Sequence, residues 1–447
     1  MKRCILFLTS LLLLASCQTK AQLTVRVVKD SLFIPWEILW GPDNKIWLTQ
    51  KNGYICRLDP KTRQLDTLYH ETATVANNEG GMLGLALHPQ FPTQPYVYTS
   101  FNYMNGSTYM EKVVRYTYNS AGTGSLSSPM VLIDSITANT YHNGCRLLAV
   151  GDKLFISTGE AGNTSLSQNL QSINGKILRI NLDGSIPSDN PIPGSRIWSW
   201  GHRNAQGLVM ANGKLYSSEH GDNSDDEINK IEKGRNYGWP SVKGFCDLPS
   251  EQIFCADSQV VEPMTAWTPT LAVCGLDYYD GAMFPSWRGS LLLATLKDSK
   301  FYRLRLSANG DSIVSINHVP EIAFGRLRDV CVSPDGRIFI STSNSGPSGM
   351  SGYTDKIIEI YDPSVGVVEP KVNSFEVYPN PAKDEVNVRY AKGEIEFRLW
   401  NVLGQSLSRG QMNGGSGRID VSTFAPGIYF LLLNQNGAMA MERFEKK

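Results

Sequence analysis

Between residues 45 and 360 one pattern of apolar and polar positions recurs: an alternating strand ending in small hydroxyl residues, a polar gap, then a second alternating strand. Six copies occur, at residues 45–49 with 54–58, 96–100 with 113–116, 153–158 with 177–180, 214–218 with 227–231, 290–295 with 301–304, and 337–342 with 356–360. Period-two alternation bounded by Gly, Asp and Asn predicts half-buried strands joined by tight turns. Repetition of such units predicts radial blades of antiparallel sheet. Helical patterns are scarce, which argues against a βαβ architecture. The expectation is an all-β chain with a six-bladed β-propeller over residues 22–362, whose function sits on loops around the central channel.

After Asp362 the character changes. Residues 363–372 read as a linker, and 373–447 as short strands of a small C-terminal β-sandwich. At the other end, Met1-Lys2-Arg3 precedes an apolar run over residues 5–15, the pattern of a signal peptide. Two processing sites compete: cleavage after Ala21, giving a signal peptide over 1–21, and the lipoprotein-like Leu14-Ala15-Ser16-Cys17, which makes Cys17 a lipidated N-terminus. No later stretch approaches the roughly 20 apolar residues of a transmembrane helix.

Charge narrows the function classes. Across 447 residues, 42 Lys+Arg balance 42 Asp+Glu, so the chain as a whole attracts neither nucleic acid nor an anionic membrane. Export places the cysteines in a disulfide-permissive compartment, and Cys246 and Cys255, bracketing a short polar loop, are the expected pair. Neither C-x-x-C nor H-E-x-x-H occurs, so zinc chemistry has no support.

Candidate chemistry lies in the loops. His142, in Tyr141-His142-Asn143-Gly144, is the most suitable proton acceptor. Arg326 and Arg328 fall on one side of an extended segment, a fork for carboxylates, with Lys297 a further cation. The run Glu219 to Glu227 is dense in the hard oxygen ligands that suit calcium, without EF-hand spacing.

Taken in order, Glu79-Gly80-Gly81-Met82-Leu83-Gly84-Leu85, Tyr141-His142-Asn143-Gly144, Gly201-His202-Arg203-Asn204-Ala205-Gln206-Gly207, Asn236-Tyr237-Gly238-Trp239-Pro240, Leu296-Lys297 and Gly325-Arg326-Leu327-Arg328-Asp329 closely resemble the soluble glucose/sorbosone dehydrogenase family. These are six-bladed propeller enzymes that use pyrroloquinoline quinone (PQQ) and calcium. The resemblance implies that His142 is the general base, Glu160 orients it where the family usually has aspartate, and Arg203 polarises the quinone side. It further implies that Asn204, Thr270, Lys297, Arg326 and Arg328 bind the cofactor. It also implies that carbonyls of Gly221 and Asp222 hold calcium, Asp222 standing where proline is usual, and that a second calcium lies near Glu227 and Tyr237. Glu79 replaces a glutamine that faces the sugar and Tyr141 an acidic residue beside the histidine, which leaves the substrate open among aldoses and related polyols.

The tail, with Tyr378-Pro379-Asn380-Pro381, Trp400-Asn401-Val402-Leu403-Gly404-Gln405 and Ala425-Pro426-Gly427-Ile428-Tyr429, resembles the type IX secretion sorting domain of Bacteroidetes proteins. It implies Sec export, contact with that secretion machinery, and a secreted or cell-surface location in a Gram-negative bacterium. The combined expectation is an exported sugar dehydrogenase passing electrons to a quinone or redox-protein acceptor. Two alternatives remain at this point: a non-catalytic propeller binding glycan or protein, and a hydrolase with a channel calcium ringed by side-chain carboxylates.

Overall fold

The structure is a computed structural model that describes residues 22–346, 352–364, 375–390, 394–401, 406–435 and 438–447. The expected signal segment with Cys17, residues 365–372 of the expected linker, and residues 402–405 of the tail motif lie outside the described residues. The chain divides into two compact units, residues 1–362 and 363–447.

The first unit holds six four-stranded antiparallel sheets. The six strand pairs predicted from the sequence are the two middle strands of each sheet, for example Ile46–Gln50 with Tyr54–Leu58 and Lys153–Thr158 with Lys176–Asn181. Each sheet gains an inner and an outer strand. Blade 1 begins with Pro35–Trp40, blade 3 with Gly144–Val150, blade 4 with Ala205–Ala211 and blade 6 with Leu327–Val332. Every innermost strand packs against the next, and that of blade 6 against that of blade 1, so the ring closes. The N-terminal strand Thr24–Leu32 supplies the outer strand of blade 6, pairing Thr24 with Tyr361. The propeller is thus held shut by strand pairing between its two ends.

Apolar faces fill the spaces between blades. Ile156, Leu178 and Ile180 of blade 3 pack with Tyr98 and Val113 of blade 2, all fully buried. Each such aliphatic side chain stabilises the fold by about 1.5–3 kcal/mol relative to exposure. The channel wall is polar by contrast. Arg146 Nη1 meets Glu37 Oε1 at 2.7 Å and Asp329 Oδ2 at 2.9 Å, joining inner strands of blades 3, 1 and 6. Loss of this buried arginine would strand two carboxylates, at about 3–5 kcal/mol. Glu37 and Asp329 are therefore engaged with a cation of the protein.

The second unit packs a three-stranded sheet (Glu376–Tyr378, Glu385–Arg389, Ser416–Asp420) against a four-stranded one (Ile395–Asn401, Ser406–Met412, Gly427–Gln435, Ala438–Lys446). Val386, Val388, Leu399, Ile419, Leu431 and Phe444 form the core between them, a β-sandwich. Among the described residues no helix is long and apolar enough to cross a membrane.

Cys246 and Cys255 form a disulfide. The segment they bracket is not a plain loop: an α-helix, Pro249–Ser258, occupies it, with Glu251 accepting from the amides of Lys243 and Leu248.

Candidate functional site

The loops that link one blade to the next converge at one end of the channel. The connection from blade 2 to blade 3 carries His142, whose backbone is left-handed (φ 58), as is that of Gly144 (φ 70) and Cys145 (φ 62). A non-glycine residue held there costs about 1–3 kcal/mol and persists only where its surroundings fix it. Those surroundings are visible. Ala161 N donates to His142 O at 3.0 Å and His142 N to Glu79 Oε2 at 3.0 Å. A Cβ at Gly159 would lie 1.8 Å from His142 O, so only glycine admits this crossing.

The His142 imidazole is clamped at both nitrogens. Glu160 Oε1 lies 2.7 Å from Nδ1, and Arg203 Nη2 lies 3.1 Å from Nε2. A guanidinium only donates, so Nε2 is the acceptor and the ring proton is assigned to Nδ1, donated to Glu160. The longer carboxylate in place of the family aspartate thus reaches the ring, and Glu160 is itself fixed by its amide bond to Arg203 O at 2.9 Å. Arg203 is held in turn: its Nη1 donates to His220 O at 3.3 Å and its amide donates to Glu219. His202, which reads as a turn or packing residue in the sequence, is fully buried, with Nδ1 2.9 Å from Glu219 Oε2 and Nε2 2.8 Å from Ser199 Oγ.

Beside His142 opens a cavity enclosing about 630 Å³, solvent at its mouth included, lined by Glu79, Arg326, Arg328, Gln206, His220 and Trp36 among others. Both predicted arginines share it. Arg328 is nearly buried, donating through Nη1 to Gln206 Oε1 (3.2 Å) and Cys274 Sγ (3.2 Å), and its Nε has no partner. Asn204 uses Oδ1 for the Gly144 amide at 3.1 Å and leaves Nδ2 buried and unpartnered, as is His220 Nε2. Buried nitrogens without partners, together with the guanidinium groups of Arg326 and Arg328 and the flat indole of Trp36 5.8 Å from Arg328, fit a planar polyanion such as PQQ. Burial pushes the His220 pKa down, against the pull of Asp226 and Glu79.

Thr270 and Lys297 bond to each other, Nζ to Oγ1 at 2.9 Å, and neither lines the cavity; Leu296, next to Lys297, does. Tyr141 is exposed and sets its ring edge-on to His142 at 4.8 Å.

The expected calcium ligands divide. Gly221, Glu227 and Tyr237 line a smaller pocket of about 290 Å³ together with Arg203, Glu219 and Asp225. Asp222 is absent from that lining and its carboxylate pairs with Lys243 at 2.6 Å. Burial, then repulsion from Glu219, drives the Glu227 pKa up to about 8, although Asn229 and the Gly244 amide donate to it. The Tyr237 hydroxyl is used within the fold, donating to Lys230 O at 2.6 Å and accepting from Glu232 N at 2.8 Å, so only its carbonyl remains for a metal. Among the described residues no three His, Cys, Asp or Glu side chains converge as a metal-holding group.

Sequence reasoning missed Trp36, Lys51, Gln206 and His220. Gln206 was accessible from the two-residue period that puts it on the face of Asn204. Lys51 is nearly buried with Nζ donating to Asn78 O; burial, reinforced by Arg328 and opposed by Glu79, lowers its pKa to about 8.

Residues 32–350 match the Glucose / Sorbosone dehydrogenase family and residues 376–447 the Secretion system C-terminal sorting domain. The chain is 31% identical over 410 residues to quinoprotein glucose dehydrogenase B of Acinetobacter calcoaceticus, covering 72% of this chain and 85% of that one. It is 31% identical over 356 residues to aldose sugar dehydrogenase YliI of Escherichia coli, covering 76% and 95%. The solved PQQ-bound aldose sugar dehydrogenase of Streptomyces coelicolor is similar over 76% of this chain and 98% of that one, with 29% identity and a TM-score of 0.64. With its paired arginines, clamped histidine and six-bladed ring, this chain belongs to the glucose/sorbosone dehydrogenase family of PQQ-dependent sugar dehydrogenases and ends in a secretion sorting domain.

Proposed function

We propose that the protein is an exported, calcium- and PQQ-dependent dehydrogenase that oxidises a hydroxyl of an aldose or related polyol with His142 as general base. The observation that carries this reading is the contact of His142 Nε2 with the Arg203 guanidinium, on a loop whose next two residues, Asn143 and Gly144, line the cavity with Arg326 and Arg328.

When bound, PQQ supplies the two-electron acceptor for the hydride leaving the sugar carbon. His142 Nε2 takes the hydroxyl proton of the sugar, which displaces the Arg203 donor from that nitrogen. Glu160 holds the ring at Nδ1 and favours the imidazolium that results. Arg203, freed from Nε2, donates toward the negative charge developing on the reacting oxygens. Arg326 and Arg328 bind the cofactor carboxylates, Asn204 donates through its unpartnered Nδ2, and Lys297 with Thr270 closes the rim. Tyr141 borders the sugar.

Carbonyls of Gly221 and Asp222 hold one calcium. Glu227, Glu219 and the Tyr237 carbonyl would hold a second, where a divalent cation would offset the burial of the Glu227 carboxylate and its repulsion from Glu219, the two causes that raise its pKa. The sorting domain, with the basic and apolar N-terminal segment, supports Sec export followed by delivery to the cell surface or medium, and electrons leave to a quinone or redox protein.

Dye-linked oxidation of an aldose panel by the full mature chain tests the reading. Sugar-dependent dye reduction that requires PQQ, is lost on chelation and returns with calcium is expected. No reduction with any aldose or polyol, despite bound cofactor, overturns it.

A further inference from the structure

Glu79 sits on a five-residue strap, Asn77 to Gly81, that connects blade 1 to blade 2 and is anchored on both sides. On the blade 1 side Lys51 Nζ donates to Asn78 O, and on the blade 2 side Gly81 N donates to Asn102 Oδ1 at 2.9 Å. From this strap two bonds reach the base loop: Glu79 N donates to Thr140 O at 2.9 Å, and Glu79 Oε2 accepts from His142 N at 3.0 Å. The second bond falls on a residue whose φ of 58 is unfavourable for any side chain bearing a Cβ. The backbone of His142 therefore keeps its conformation through the neighbours that satisfy it. One is Ala161, which donates to its carbonyl, and the other is Glu79.

We infer that Glu79 is a positioning residue for His142: its carboxylate holds the strained amide, and so keeps the imidazole between Glu160 and Arg203, instead of serving chiefly as a sugar contact. The inference rests on His142 being the base. Displacement of a reacting group by about an ångström costs on the order of a hundredfold in rate, so the effect falls on turnover.

Steady-state kinetics of the full mature chain, saturated with PQQ, separates the two roles. Glu79→Ala is expected to lower kcat by about ten- to a hundredfold, with KM for the sugar and cofactor affinity within about threefold of wild type. Glu79→Gln keeps an acceptor oxygen at the same reach and is expected to recover most of the lost turnover. A raised KM at unchanged kcat in Glu79→Ala marks a substrate contact and overturns the inference. So does Glu79→Gln as impaired as Glu79→Ala, or an unchanged kcat in both. Should Glu79→Ala fail to fold, Lys51→Met decides by releasing the Asn78 carbonyl: lower kcat at unchanged KM is expected, and unchanged kcat overturns the inference. His142→Ala run in parallel keeps the readings apart. Turnover surviving in His142→Ala removes the base assignment itself, whereas turnover lost there and intact in Glu79→Ala removes the strap alone.

Discussion

Arg203 donates to His142 Nε2 across 3.1 Å, and this single contact assigns the histidine tautomer. Because the guanidinium cannot accept, Nε2 is the basic nitrogen and Nδ1 carries the proton toward Glu160, 2.7 Å away. The imidazole is thus oriented with its lone pair toward the Arg203 guanidinium before any sugar arrives.

Glu160 reaches Nδ1 with a side chain one methylene longer than the aspartate usual at this position. Shortening it to Glu160→Asp withdraws the carboxylate from a backbone fixed by the Arg203 carbonyl. A fall in kcat of about tenfold, with KM little changed, is the expected steady-state result. An unchanged kcat would mean that the orientation of His142 does not depend on this bond.

The paired arginines act on cofactor affinity. Removal of Arg328 or Arg326 takes away charge-assisted bonds worth about 1.5–3 kcal/mol each. PQQ titrations of Arg326→Ala and Arg328→Ala are expected to show affinity about tenfold or more below wild type. Turnover at saturating cofactor should change less. Wild-type affinity in both variants would remove the carboxylate clamp.

Gly159 lies under the His142 carbonyl, where an added Cβ would approach to 1.8 Å. Gly159→Ala must push the base loop aside. Loss of at least about tenfold in kcat, with PQQ still bound, is expected in kinetic and binding assays. Full activity would show that the loop adapts without moving the imidazole.

Much of this was legible in the sequence, for identifiable reasons. The middle strands of all six blades bury residues from both faces, so Ile46–Gln50 or Ile338–Thr342 announce themselves by composition and period. Inner strands hide because they carry channel charges such as Glu37, Arg146 and Asp329, which break the apolar pattern. The outer strand Ile313–His318 hides because it is mostly exposed. Thr24–Leu32 finds its partner at the far end of the propeller, which no local window detects. The helix between Cys246 and Cys255 exposes Leu248 and Ile253 and buries only Glu251, so it has no apolar stripe to read. In the site, His142, Glu160, Arg203, Arg326 and Arg328 stood in recognisable motifs. Lys51, followed by Asn52-Gly53, and Trp36 stood outside those motifs.

Glu111 gives a pH signature. Its carboxyl is fully buried, and burial raises its pKa from 4.5 to about 8, against a smaller downward pull from the Cys145 thiol beside it. The folded chain then retains a proton that the unfolded chain releases, so this group's contribution to stability is complete below about pH 4.5 and declines as pH rises to about 8. Thermal melts should show Glu111→Gln gaining on wild type steadily from about pH 5 to about pH 8. A constant difference across that range would contradict the assignment.

The most direct test of the central claim is rapid mixing of sugar with the PQQ-loaded mature protein, following the absorbance of the bound cofactor in wild type and in His142→Ala. Prompt reduction in wild type, slowed by about a hundredfold or more in a variant that still binds PQQ, is expected. Equal rates in the two proteins would contradict His142 as the base.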